Sequence, residues 1–235
     1  MMERKTKEPE YYQPSIQATS DGSATLIHPI LGELYHSRHG AWTESHHIFI
    51  GHGLLPFLER NRQSVHIFEM GFGSGLNATL VREVADREKV RISYTSVESY
   101  PVEQTIVEEM EMPEQTREER ERWLELHLAA WDSEVEISPY FRLRKMKASF
   151  PEVSIPGSGR FNLIFYDAFA PAAQPELWSV AAMSKCYDLL AEGGMWLSYC
   201  AKGQVRRNLK EAGFEVEALP GPPGKREITR GVRRK

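Results

Sequence analysis

From residue 65 onward, short apolar runs alternate with longer stretches in which apolar positions recur every three or four residues. The first pattern suits a strand buried in a sheet, the second a helix with one apolar face. Residues 65–69 are predicted as a strand, 76–88 as a helix, and 91–97 as a second strand that ends at Glu98. A charged helical region covers about 102–130. Residues 141–147 alternate apolar and basic side chains, as a half-buried strand does. The apolar run 161–166 predicts a central strand covered on both faces. Residues 175–190 read as a helix, 194–200 as a strand, and 202–212 as a helix stopped by Gly213. Residues 214–219 and 227–230 form a last, antiparallel pair around the turn Gly221-Pro222-Pro223-Gly224. This alternation predicts an α/β fold of Rossmann-like type: a mostly parallel, seven-stranded sheet with helices on both faces.

Ahead of this region, residues 19–35 carry turn residues at both ends and read as a β-hairpin. A helix-like stretch over 41–61 is interrupted by Gly51, Gly53 and Pro56. We therefore expect an N-terminal extension with a hairpin over residues 1–40 and one larger domain over 41–235. A chain of 235 residues can bury the core this needs.

Composition narrows the function classes. No apolar run is long enough to cross a bilayer, and the N-terminus is charged, so a cytoplasmic location is expected. Two cysteines, Cys186 and Cys200, are too few for a disulfide framework or a cysteine zinc site. His46, His47 and His52 lack cysteine or carboxylate company at metal-ligand spacing, so no metal is expected. The net charge of -4 hides an asymmetry. Residues 202–235 hold ten Lys/Arg and four Glu, a net of +6, which leaves -10 on the other 201 residues. A local basic surface of that kind suits a polyanion. The last five residues read as a solvated tail, and the acidic helical region as solvent-facing.

The candidate chemistry begins at Glu69-Met70-Gly71-Phe72-Gly73-Ser74-Gly75-Leu76-Asn77, between a predicted strand and a predicted helix. Glycine lets a backbone turn tightly and approach a ligand. Glu98 ends the next strand, where a carboxylate can accept both hydroxyls of a ribose. A dinucleotide site would space its glycines G-x-G-x-x-G; here the spacing is G-x-G-x-G, with a carboxylate ahead of the loop. S-adenosylmethionine (SAM) has no pyrophosphate to cradle but has an ammonium, near which Glu69 could place charge. Asp167 ends the strand 161–166 and is followed by the stiff segment Ala168-Phe169-Ala170-Pro171. It is the candidate contact for the nucleophile, with capping of the next turn as the alternative.

These segments resemble one family as a set. The glycine loop, the Asp167 segment and the ending 212–231 look like the methyltransferase domain of the MnmC-type tRNA 5-methylaminomethyl-2-thiouridine biosynthesis proteins. So do the early segments Asp21-Gly22-Ser23-Ala24-Thr25-Leu26, Gly32–Ser37 and Gly40–Ser45. The resemblance implies a class I SAM-dependent methyltransferase of the stand-alone type, without the FAD oxidase domain. Its substrate would be the 5-aminomethyl group of a wobble uridine in tRNA, the precursor coming from a separate enzyme. Implied cofactor contacts are Glu69, Gly71, Phe72, Gly73, Gly75, Asn77, Glu98, Ser149 and Asp167, with Asp167 also catalytic. Many relatives carry Gly-Asp where this chain has Ala148-Ser149, so Ser149 stands in for an adenine-contacting acid.

Candidate substrate contacts are Tyr35, His36, Glu44, Phe169, Lys202, Arg206, Lys225 and Arg226. Tyr35 would stack on an extruded base, and the cations would meet phosphates of the anticodon stem-loop. Two other readings fit the same fold: a spermidine-synthase-like aminopropyltransferase, and a non-catalytic RNA- or nucleotide-binding protein.

Overall fold

The apolar runs become strands, and the computed structural model sets them side by side with helices packed on both faces. It describes residues 14–20, 22, 24–35, 40–61, 64–110, 116–156 and 159–234. The sheet has eight strands, one more than the pattern predicts. They are β3 (Val65–Met70), β4 (Ile92–Glu98), β5 (Glu134–Ser138), β6 (Phe141–Lys147), β7 (Phe161–Tyr166), β8 (Leu190–Ser198), β9 (Glu215–Pro220) and β10 (Glu227–Val232). Their order is β5-β6-β4-β3-β7-β8-β10-β9. The inner five run parallel, while β5, β10 and β9 pair antiparallel at the two edges. β5 was missed because its five residues are mostly exposed or half-buried, which leaves no apolar run to read.

A separate hairpin, β1 (Ser15–Ala18) with β2 (Ala24–Ile27), precedes the sheet and begins earlier than the pattern suggests. Its Ala24 and Leu26 pack with Ile106, Val107, Met110 and Trp123 in a small core of their own.

The stretch 41–61 is not broken at its glycines. It runs as α1 (Ala41–Ser45), a π-helical segment (His46–Leu54) and α2 (Leu55–Arg60). The wider i→i+5 turns close with the Leu55 amide donating to the Ile50 carbonyl, just ahead of Pro56 in the first turn of α2. Gly53 allows close packing there: a Cβ would lie 3.3 Å from Leu197 Cδ1.

α3 (Leu76–Glu88) follows β3. The charged region divides into α4 (Gln104–Glu109) and α5 (Arg117–Leu128). A capping box starts the second: the Glu119 amide donates to Thr116 Oγ1 at 3.2 Å and the Thr116 amide to Glu119 Oε2 at 2.6 Å. A 3₁₀ turn (Pro175–Trp178) and α6 (Val180–Leu189) share the single helix expected over 175–190. α7 (Gly203–Glu211) joins β8 to β9.

Residues 231–233 are not part of a solvated tail, and Lys235 lies outside the described residues. Gly231 is buried within β10, and Arg233 Nη1 donates to the carbonyls of Tyr187 (2.9 Å) and Leu190 (2.7 Å). Among the described residues, no helix is long and apolar enough to cross a membrane.

Candidate active site

β4, β3 and β7 end side by side, and strand order reverses at β3: the chain steps outward to β4 and β6, then returns to β7 on the other flank. A crevice opens outside the carboxyl ends of parallel strands at such a reversal. Here it is a cavity of about 300 Å³. Its floor is tied together by backbone. The Gly71 amide donates to the Val97 carbonyl at 2.9 Å and the Asp167 amide to the Met70 carbonyl at 3.1 Å.

The glycine loop is needed both for its conformation and for its closeness to neighbours. Gly71 and Gly73 have φ of 89° and 51°. A Cβ on Gly71 would lie 3.1 Å from the Asp167 carbonyl oxygen, and one on Gly73 would lie 3.1 Å from the Tyr35 ring. Glu98 holds this loop open. Its Oε2 accepts from the Gly73 amide at 3.1 Å and its Oε1 from the Tyr100 amide at 2.9 Å. Burial pushes the Glu98 carboxyl above its ordinary range, and the Tyr100 and Gly73 amides pull it back. The carboxylate also lines the cavity, where it can accept from a ligand hydroxyl.

Asp167 stands on the cavity floor. Its Oδ2 accepts from Asn77 Nδ2 at 2.9 Å. Burial pushes its carboxyl up to about 7, against the Asn77 hydrogen bond; Glu44 raises it further and Lys225 lowers it. Such an acid exchanges a proton near neutral pH. The alternative role of capping a turn finds no support, since no capping hydrogen bond from the Asp167 side chain is seen.

The mouth is assembled from distant segments. Tyr35 and His28 from the hairpin region meet Phe169 edge-on, each at 5.0 Å between ring centres. Glu44 of α1 forms an ion pair with Lys225 of the β9–β10 turn. The Lys225 ammonium also lies 4.4 Å above the Tyr199 ring. Tyr199 in turn donates to the Ala168 carbonyl at 2.9 Å, steadying the segment after Asp167.

Gly71, Phe72, Gly73, Asn77, Glu98 and Asp167 thus meet on one wall, and Tyr35, Glu44, Phe169 and Lys225 line the mouth. Other expected contacts lie elsewhere. Glu69 is fully buried beneath the loop and does not line the cavity. Gly75 sits behind it, where a Cβ would lie 2.9 Å from His127 Nε2. Ser149 is exposed, and its carbonyl accepts from the amides of Glu152 and Val153 instead. Arg206 is committed to the fold, donating to Glu227 at 3.0 Å and Thr229 Oγ1 at 3.1 Å. Lys202 and Arg226 are exposed away from the cavity wall. His36 lies outside the described residues.

The basic surface is also weaker than composition implies. Glu215, Glu217 and Glu227 pair with Arg234, Arg230 and Arg206, so three of its four glutamates neutralise its own cations.

Several supporting residues were not singled out from sequence. Ser74's carbonyl accepts from Trp123 Nε1 at 2.8 Å and faces His127 Nε2 at 2.9 Å. A carbonyl can only accept, so the His127 proton sits on Nε2. Burial pushes His127 down to about 4, which keeps it neutral. The inner face of acidic α5 therefore pins the glycine loop while its outer face stays in solvent. A Trp and a His four apart within an acidic helix was the readable signal.

Lys145 falls on the buried phase of β6. Its ammonium donates to the His127 carbonyl at 2.6 Å and lies 4.7 Å over Trp131 and 5.1 Å over Phe72. Burial lowers it to about 8. His28 also joins the wall. Its Nδ1 faces the amides of Ile30 (3.2 Å) and Leu31 (3.1 Å), which puts its proton on Nε2. Among the described residues, no group of three His, Cys, Asp or Glu could hold a metal ion.

Residues 114–234 match a family model described as S-adenosyl-L-methionine-dependent methyltransferase. The chain is 33% identical to the tRNA 5-methylaminomethyl-2-thiouridine biosynthesis bifunctional protein MnmC of Aromatoleum aromaticum, over 92% of this chain and 35% of that protein. It spans about a third of the length of the curated relatives it matches. Among solved structures, MNMC2 from Aquifex aeolicus superposes with a TM-score of 0.78 at 29% identity, covering 95% of this chain and 71% of that one. Spermidine synthase from Thermotoga maritima, at 15% identity and a TM-score of 0.53 over 99% of this chain and 82% of that one, shares the fold.

The floor suits the cofactor this family uses. Gly71 and Gly73 form a cradle that a Cβ would fill, and the Glu98 carboxylate lines the cavity beside it, as an acceptor for ribose hydroxyls must.

Proposed function

The chain belongs to the S-adenosyl-L-methionine-dependent methyltransferase family, and from that premise we propose that it N-methylates the 5-aminomethyl group of wobble uridine, with or without 2-thiolation, in tRNA. The product is the 5-methylaminomethyl form. The observation that carries this reading is Asp167, an acid poised near neutrality on the floor of a cavity lined by the glycine loop and Glu98. A relative named for 5-methylaminomethyl-2-thiouridine biosynthesis supports the choice of acceptor.

SAM supplies the methyl group as an electrophile on a cationic sulfur. The acceptor is a primary alkylamine, whose ordinary pKa of about 10 leaves it protonated and without a lone pair at neutral pH. Asp167 accepts a hydrogen bond from that nitrogen and takes its proton; Asn77 fixes the carboxylate while it does so. Gly71, Phe72 and Gly73 would shape the cofactor wall, and Glu98 would accept from the ribose hydroxyls. Tyr35 and Phe169 offer ring faces and edges to the extruded base. Glu44 draws the cationic amine inward, and Lys225 moderates that charge. Most of the acceleration comes from holding the nitrogen in line with the transferring carbon.

In this reading residues 1–40 are an N-terminal extension, of which His28 and Tyr35 wall the acceptor side, and residues 41–235 carry the chemistry. A separate enzyme supplies the aminomethyluridine, in the cytoplasm. Lys202 and Arg226 bring cationic charge to the anticodon stem-loop.

The test is to incubate the protein with methyl-labelled SAM and tRNA from cells lacking the modification, then digest to nucleosides. Label in a methylaminomethyluridine is expected. Label in another nucleoside, or in none, rejects the acceptor. A parallel incubation with decarboxylated SAM and a diamine is expected to give no aminopropyl product.

A further inference from the structure

Lys145 is a charge in a place that the strand pattern reserves for apolar side chains, and the reaction as described does not use it. It follows Phe141 and Leu143 on the inward phase of β6 and is fully buried, whereas Arg142 on the other phase is exposed. Burying an ammonium is costly unless other groups replace its water. No carboxylate among the described residues offsets this one. Burial lowers it to about 8, so it stays mostly protonated at neutral pH.

The groups that replace its water all lead to the glycine loop. The ammonium donates to the His127 carbonyl at 2.6 Å, one of those that the end of α5 leaves without an intrahelical partner. A cation there also suits the negative end of the helix. The same ammonium lies 4.7 Å over the Trp131 ring and 5.1 Å over the Phe72 ring. Phe72 belongs to the loop itself, and its ring meets His127 edge-on at 5.3 Å and Trp131 at 6.0 Å. His127 in turn donates through Nε2 to the Ser74 carbonyl at 2.9 Å, beside Trp123 Nε1 at 2.8 Å. Backbone keeps the lysine in register with these partners: Trp131 bridges to Lys145, and the Asp132 amide donates to the Lys145 carbonyl at 2.6 Å.

The front of the loop faces the cavity through Gly71, Phe72 and Gly73. Glycine backbone has little stiffness of its own, so what packs behind such a loop decides where its amides stand. Taking away the cation would release the Phe72 ring and the end of α5 together. We infer that Lys145 is a positioning residue for the cofactor: its buried ammonium ties Phe72, Trp131 and the last turn of α5 together behind the glycine loop and so sets the affinity for SAM. It touches no reacting atom. The inference rests on the family's cofactor and not on the acceptor proposed above, so rejection of tRNA as substrate leaves it standing.

Lys145→Met keeps most of the bulk and removes the charge and the donor. Calorimetry with S-adenosylhomocysteine is expected to give K145M a Kd about tenfold or more weaker than wild type, from the loss of one charged hydrogen bond and two ring contacts. The KM for SAM should rise by a larger factor than kcat falls, because the loop and not the reacting groups has moved. A lysine that served the fold alone would lower the melting temperature of K145M and leave the Kd of the folded protein at the wild-type value. That result, or a fall in kcat with the KM for SAM unchanged, overturns the inference.

If K145M does not fold, Trp131→Leu reads the same clamp from its half-buried edge. It removes one ring face and leaves Lys145 in place. Its Kd for S-adenosylhomocysteine should be at least about threefold weaker than wild type, and a smaller change overturns the inference.

Discussion

The floor of the cavity comes from three neighbouring strand ends. Its mouth comes from the hairpin region, the first helix and a turn near the C-terminus. On the floor, polar groups are held by backbone or by buried partners, as Glu98 is by the amides of Gly73 and Tyr100. At the mouth the main polar contact is an ion pair, Glu44 with Lys225, whose lysine side chain is 32% exposed. Solvent screens the second kind of contact and hardly touches the first. The floor therefore sets the protonation and placement of the reacting groups, while the mouth selects what enters and can change at modest cost.

Removing the acid on the floor is the severest test of that division. Asp167→Ala is expected to lower kcat by about a thousandfold, within the range ascribed to a positioned acid or base. Cofactor affinity should change by less than about threefold, read by calorimetry. Unchanged turnover would take Asp167 out of the reaction.

A second test uses stability. The folded-state pKa of Asp167, about 7, lies above its ordinary value of 3.8. Between those values the folded protein binds the proton more tightly than the unfolded chain does. Raising the pH through this window therefore costs stability, and the cost is complete above pH 7. Asp167→Asn removes this titration and can still accept from Asn77. Denaturant melts should show the variant gaining on wild type from pH 5 to pH 8, by about 1–3 kcal/mol at the upper end. A gap independent of pH would mean that Asp167 is effectively solvated and that the floor is no drier than the mouth.

The smallest effect belongs to the mouth. Lys225→Met keeps most of the bulk over Tyr199 and removes the charge. KM for tRNA should rise by about two- to fivefold, with a smaller change in kcat, as expected when one phosphate or rim contact is lost. A larger fall in kcat than rise in KM would move Lys225 to the floor's side of the comparison.

The chain's hydrophobic periods were enough to locate the five parallel strands, because β3 and β7, buried on both faces, read as apolar runs while β6, half-buried, reads as an alternation. They placed α3 at Leu76–Glu88 and put the glycine loop, Glu98 and Asp167 at strand ends. A glycine's spacing and a strand's last residue are local properties, so both can be read from one dimension. Only the tertiary structure decided which polar groups meet. Asn77 and Asp167 are 90 residues apart, and Glu44 and Lys225 are 181 apart; no local pattern encodes such pairs. Nor does any local pattern reveal that Arg206 is spent on Glu227, that Lys145 lies inside, or that Glu69 is buried beneath the cavity lining. Backbone periodicity is set by neighbours along the chain, whereas the charge state of a buried group depends on whatever folding brings beside it.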